Sequence, residues 1–403
     1  MSSVSQNLSK SQSQGASSEK IPHSLTGGSS NLILKLFLKH GLRPAGWKKL
    51  PTWSGLLLNS LTGVPFRWQE RFSARRANAL KTEPAPPLFV IGHWRSGTTH
   101  LHNLLTKDPQ FGYLTMRHCI TPNSFLTMPE FINNKLAKMM PDQRPVDGMK
   151  MGWDFPQEEE FALERMTDLS YNHCYLFPDR ADELFRRSVL FESNPADAVK
   201  WTVEYHKLLC RLSLDQQGKT LCLKNPPNTA RIPQLLQLYP DAKFVFIVRN
   251  PEHVFRSTQN LWKNVTKLLG LTKTSEKNIE KSFVSFYTRL MEKYLVDRKK
   301  IPANNLVEVK YEDLESSPVE TLETIYSSLM LDGFSTAKPQ FEQYVQEKSG
   351  YQKSVHQLTA EEAELVQSQW GFAAKEWGYA DGAWSSAPKS LSSAEISGSV
   401  KSD

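Results

Sequence analysis

The chain has 403 residues, enough for two or three domains or for one large α/β domain with appendages. Hydrophobic residues are 39% and charged residues 23%, a shortfall that sits at the ends: 11 serines fall within residues 1–30 and 8 within residues 382–403, and both stretches are expected to be disordered. No apolar run approaches the ~18 residues of a membrane span, no secretory signal opens the chain, and the four scattered cysteines (Cys119, Cys174, Cys210, Cys222) speak against a zinc or disulfide scaffold and for a reducing, cytoplasmic compartment.

The net charge of +7 is unevenly placed. Ile21 to Gln69 contains no Asp or Glu, yet carries Lys35, Lys39, Arg43, Lys48, Lys49 and Arg67. The same stretch holds Leu32 to Leu34, Leu36 to Leu38, Trp47, Trp53, Leu56 to Leu58 and Trp68. Lys35 and Lys39 stand i,i+4, so a helix puts them on one side and leucines on the other. Residues 31–83 therefore read as a basic amphipathic arm. It either packs on the main domain or lies on a membrane surface as a peripheral contact. The cations are too sparse and too mixed with aliphatics for nucleic-acid binding. A transit peptide is a third reading of the Ser-rich, nearly acid-free start.

The catalytic domain is expected over residues 84–381, between the Ser-rich head (1–30), the arm and the Ser-rich tail (382–403). Pro84 to Pro87 is a stop. Leu88 to Ile91 is a buried strand, Gly92 to Gly97 a turn, and Thr98 to Thr106 a helix with Leu101, Leu104 and Leu105 on one face. Further strands are predicted at Thr220 to Leu223, Lys243 to Val248 and Leu306 to Lys310. Helices are predicted over Arg231 to Tyr239 and Pro318 to Leu329. Short buried strands alternating with helices imply a parallel sheet covered on both faces.

Gly92-His93-Trp94-Arg95-Ser96-Gly97-Thr98-Thr99 has the G-x-x-x-x-G frame of a phosphate-binding loop. Glycines let successive N–H groups face an anion, and the helix behind adds its N-terminal partial charge. The residue after Gly97 is Thr98, where a nucleoside triphosphatase needs lysine. The cation sits inside the loop as Arg95. A second anion site is predicted where Arg249 follows a strand and Ser257 lies two turns into the next helix. Two separated anion sites fit a 3′,5′-bisphosphorylated adenosine better than ATP.

These segments resemble the PAPS-dependent sulfotransferases, in the bacterial-type sulfotransferase family 3 group. Phe89 to Thr99 is similar to the family's 5′-phosphosulfate loop, and Phe246 to Pro251 with Ser257 to its 3′-phosphate motif. Asp154 to Leu163, Leu223 to Ile232 and Tyr311 to Leu314 agree as well. The resemblance spans Leu88 to Leu329. It implies a P-loop-like α/β sheet (the sulfotransferase fold), PAPS as donor with PAP as product, no metal, and a hydroxylated small-molecule acceptor. Cytosolic small-molecule sulfotransferases carry Lys where Arg95 stands here, and a histidine base that has no counterpart by motif.

Sulfuryl transfer needs cations on the sulfonate and leaving phosphate, and a base on the acceptor. Arg95 and Lys224 are the expected cations. The expected base lies within Glu158-Glu159-Glu160. A helix beginning near Pro156 would put Glu158 on a face with Phe161, Ala162, Arg165 and Met166, where desolvation raises a carboxyl pKa. His93 is the competing candidate, able to touch the sulfonate from within the loop. His93 to Thr99, Arg249, Ser257 and Lys353 form the expected donor-binding set; for Lys353 the resemblance implies a basic C-terminal loop that closes on the 3′-phosphate. The basic arm suggests a lipophilic acceptor met at a membrane. The alternatives are a P-loop nucleotide kinase and an inactive PAP-binding module.

Overall fold

The computed structural model describes residues 23–42, 47–143, 150–348 and 358–379. Residues 1–22, the Ser-rich tail and the expected Lys353 loop lie outside the described residues, whereas the last part of the Ser-rich head, expected to be disordered, is ordered: Leu25 is buried and a helix starts at Ser30. Five strands build one parallel sheet: β1 (Leu88–Ile91), β2 (Phe111–Gly112), β3 (Thr220–Lys224), β4 (Lys243–Val248) and β5 (Leu306–Lys310), in the order β2-β3-β1-β4-β5. The register sets Val90 beside Lys224 and Val245, and Val248 beside Lys310. The predicted strands are present. β2 was not predicted, because two residues carry no periodicity.

Alternate residues of each strand enter opposite cores. Phe89, Ile91, Leu223, Phe244 and Phe246 face one, and Leu88, Val90, Cys222, Val245 and Ile247 face the other. Burial on both faces explains the continuous apolar runs. Leu32, Ile33, Leu36, Trp53 and Leu56 of the arm, and Leu25 just before it, belong to the first of these cores. Polar ties hold the arm there as well. Lys35 pairs with Asp168 at 2.7 Å, and the buried Glu70–Arg211 pair at 3.0 Å fixes the helix Val64–Arg71. The arm thus packs on the domain along its apolar side. Its other side leaves Leu34, Leu38, Leu58 and Trp68 exposed.

Chain order reverses around β1. Its continuation lies beyond β3 on one side, and β4 and β5 lie on the other. Ligands bind such sheets at the carboxyl ends of the strands near this point. The glycine loop leaves β1 there.

Candidate active site

The glycine loop is shaped by two glycines with no room for a side chain. Gly92 has φ +145° and lies against the Ile247 carbonyl, while Gly97 has φ +92° and lies against the Tyr311 ring. Arg95 also has positive φ, at 69°. The turn ends on the helix Thr98–Leu105, which starts directly after Gly97. Ser96 and Thr98 are buried.

Arg95, Arg249 and Ser257 come together although they are far apart in sequence. Arg95 Nε donates to Ser257 Oγ at 2.8 Å, and Arg249 Nη1 donates to the Arg95 carbonyl at 3.3 Å. The Arg249 guanidinium lies 4.3 Å from the Tyr311 ring centroid. Ser96 Oγ and Arg249 Nε are buried without a hydrogen-bond partner among the described residues. Buried donors left unmatched are costly, and an anion would satisfy them.

Lys224 ends β3 beside this loop. Its Nζ donates to Thr99 Oγ1 at 3.3 Å and forms an ion pair with Glu158. The three glutamates part company here. The helix begins at Glu159, later than the predicted start near Pro156, so Glu158 is its N-cap residue and not part of a helical face. The preceding segment is held by Gln157 N–H donating to the Leu114 carbonyl at 2.8 Å, and Glu158 turns toward a large cavity.

Glu159 is fully buried. It accepts from the Lys224 backbone N–H at 2.9 Å and from Tyr205 Oη at 3.3 Å. Burial pushes its carboxyl up to about 8, against the hydrogen bond and charge of Lys224. Glu160 is buried with Arg231 at 3.0 Å and also takes hydrogen bonds from Ser170 and Asn225. Burial alone would raise its pKa, but Arg231 and these donors outweigh it and hold the carboxyl below its ordinary value. The desolvated carboxyl expected for Glu158 is thus found at Glu159, where it grips the β3 backbone.

His93 is placed away from the loop's open side. Its Nδ1 donates to the Trp94 carbonyl at 2.7 Å, and its ring packs 4.8 Å from Tyr287. Burial lowers its pKa to about 3, so it stays neutral. A sulfonate contact from this ring is therefore corrected: the side chain is part of the core. Trp94 stacks on Tyr171 with centroids 4.0 Å apart and borders the cavity.

The cavity holds about 340 Å³ and runs from Arg95, Thr98, Thr99 and Glu158 to a mostly apolar wall that includes Met116, Met139, Met140 and Met151. The end of the head contributes His23 and Thr26, and the arm Asn59. Glu164, Arg165 and Asn172 form a polar group in the same wall, with Arg165 Nη1 donating to Glu164 at 2.8 Å. Burial pushes Glu164 up to about 7 despite Arg165 and Asn172. Sequence reasoning missed this group and the supports Tyr205, Asn228 and Arg231. Tyr311, Asn228 and Arg231 do fall within segments that carried the family resemblance.

Comparisons with known proteins agree with this geometry. Residues 86–336 match the sulfotransferase family. The chain is 31% identical over 315 residues to the omega-hydroxy-beta-dihydromenaquinone-9 sulfotransferase Stf3 of Mycobacterium bovis, covering 78% of this chain and 80% of that protein. The Stf3 protein of Mycobacterium tuberculosis matches equally. Among solved structures, sulfotransferase STF9 from Mycobacterium avium superposes with TM-score 0.64 at 15% identity, covering 87% of this chain and 96% of that one. Sulfotransferase STF1 from Mycobacterium tuberculosis gives 0.54 at 20% identity, covering 84% and 90%. With the fold, most of the chain and the loop that leaves β1 all in agreement, the chain belongs to the sulfotransferase family.

Proposed function

We propose that the enzyme moves a sulfuryl group from PAPS to a hydroxyl of a lipophilic acceptor. One observation carries the reading: the glycine loop, with its unmatched buried donors, meets an apolar cavity at the Lys224–Glu158 pair. The donor set suits a bisphosphorylated nucleotide. Arg249 and Ser257 would hold its 3′-phosphate. The N–H groups and hydroxyls of Ser96, Gly97, Thr98 and Thr99 would hold the 5′-phosphate. When bound, PAPS supplies a sulfuryl group already activated on a phosphate leaving group.

The protein's own residues do the rest. Lys224, beside the loop, would offer a cation to the charge that builds up on the leaving group. Glu158, facing the cavity, would take the proton of the acceptor hydroxyl. Arg95 adds charge from inside the loop. Glu159 and Glu160 fix β3 and the Asn225 to Arg231 turn so that Lys224 points at the loop. Lys353 lies outside the described residues and stays a proposal on resemblance alone.

The acceptor class follows from the cavity wall. Methionines are soft and unbranched, and they adapt to long apolar chains. The mycobacterial relative's name specifies an ω-hydroxylated dihydromenaquinone. A hydroxyl on an isoprenoid or sterol skeleton is the corresponding acceptor here. The test incubates the full chain with PAPS and hydroxylated quinones, sterols and phenols, and reads a sulfated product by mass spectrometry. Thermal stabilisation by ATP with Mg²⁺ but not by 3′-phosphoadenosine 5′-phosphate would replace this reading with the kinase alternative.

A further inference from the structure

Three residues lining the cavity are themselves exposed, and they mark its mouth: Asn59, Met139 and Leu268. They come from three elements distant in sequence. Asn59 lies on the helix Leu50–Thr62, Met139 follows the helix Glu130–Lys138, and Leu268 lies in the last turn of the helix Pro251–Leu269. Leu58 and Leu61, on the outward side of the same helix as Asn59 and away from its buried Trp53, Leu56 and Ser60, are 66% and 51% exposed, and Met139 and Leu268 are 60% and 43% exposed. Trp68 and Phe72, whose rings pack together on and after the next helix of the arm, are exposed as well. Soluble monomers rarely leave large apolar side chains grouped in this way.

The charged residues that adjoin these elements in sequence are mostly basic. Lys138 precedes Met139, Lys267 precedes Leu268, and Lys48 and Lys49 precede the helix that carries Leu58 and Leu61. No acid occurs from Ile21 to Gln69. Asp142, beyond Met139, is the nearest acid on the second element. Apolar side chains edged by lysines match the layered chemistry of an anionic bilayer, acyl chains beneath phosphates.

We propose that this rim docks on an anionic lipid surface, so that the acceptor passes from the bilayer into the cavity without crossing water. The proposal rests on reading the cavity as the acceptor site. It adds where that site opens and which surface it meets. An amphiphile leaving a membrane for water exposes its whole chain, and a mouth set on the bilayer removes that barrier.

The full chain is sedimented with vesicles of phosphatidylcholine alone and of equimolar phosphatidylcholine and phosphatidylglycerol. It pellets with the anionic vesicles and is released as salt rises. The double substitution Leu58→Glu/Leu61→Glu weakens vesicle binding about tenfold or more, through lost burial and added repulsion. Binding of 3′-phosphoadenosine 5′-phosphate, measured on the same samples, is unchanged by the substitution, which shows that the variant is folded. A parent chain that ignores anionic vesicles overturns the proposal, and so does a double variant that binds them as well as the parent does. Concentration-dependent self-association abolished by the same substitutions would identify a second copy as the occupant, and also overturns it. Failure of the parent to bind the bisphosphate would count against the proposed donor site and leave the vesicle result standing.

Discussion

The anion cradle and the apolar cavity meet at Lys224, yet they are built in opposite ways. The cradle comes from strand ends. Gly92, Lys224 and Arg249 each follow or end a strand whose position the sheet's register fixes. The cavity comes from the N-terminal segment and arm, loops, short helices and one side of the long helix Pro251–Leu269, with no strand residue lining it among the described residues. Chemistry that demands fixed geometry is carried by the sheet, and recognition of a variable chain is left to softer elements. The three glutamates straddle the boundary. Glu158 faces the cavity, while Glu159 and Glu160 face the sheet.

Substitution at each glutamate should therefore report a different property. Glu158→Gln is expected to lower turnover by about 10²–10⁴-fold with donor affinity retained, because it removes only the proton acceptor. Single-turnover kinetics beside calorimetry with the bisphosphate product checks this. Near-normal turnover would move the base elsewhere. Glu160→Gln leaves Arg231 charged and fully buried, and should cost about 3–5 kcal/mol of stability. Denaturant unfolding measures it, and a loss under ~1 kcal/mol, the scale of a surface pair, would show that Glu160 does not anchor the turn.

On the cradle side, Arg249→Ala should weaken binding of 3′-phosphoadenosine 5′-phosphate by about 1.5–3 kcal/mol, the scale of a charge-assisted contact. Titration calorimetry gives the number directly. Unchanged affinity would remove Arg249 from the nucleotide site and break the distinction between a rigid cradle and an adaptable cavity.

The difference in construction also explains what was legible beforehand. Strand, glycine loop and helix are contiguous, so Phe89 to Thr99 displays its own chemistry in one window. Arg249 and Ser257 lie eight residues apart on one strand–helix junction, and the spacing alone puts them within reach of one anion. The cavity has no such window. Met116, Met140 and Met151 sit in segments without clear periodicity, and His23 reaches the wall from the end of the head, whose docking no local pattern encodes. The glutamate triplet was half legible. Its position by the site was readable, but a start three residues later than Pro156 changes which carboxyl faces inward. His93 misled for a related reason: residues inside a tight turn alternate between cradle and core, and sequence does not say which way each one points.

Glu159 offers the finest test, because its burial is a statement about pH. Its carboxyl stands at about 8 in the fold, against an ordinary 4.5, so the folded protein keeps a proton that the unfolded chain has released. Stability tied to that proton is complete below about pH 4.5 and is lost as pH rises through about 8. Glu164, raised to about 7, adds a similar decline, and the buried His93 and His102, both lowered to about 3, add the opposite trend on the acid side. Comparison with Glu159→Gln cancels those contributions, because they are common to both proteins. The parent should lose stability relative to the variant steadily across pH 4.5 to 8, with the gap constant above that range. Denaturant midpoints across this window measure the gap. Parallel profiles would mean that Glu159 is ionised in the fold, and that a charge beside the Lys224 backbone, rather than a neutral carboxyl, holds the end of β3 in place.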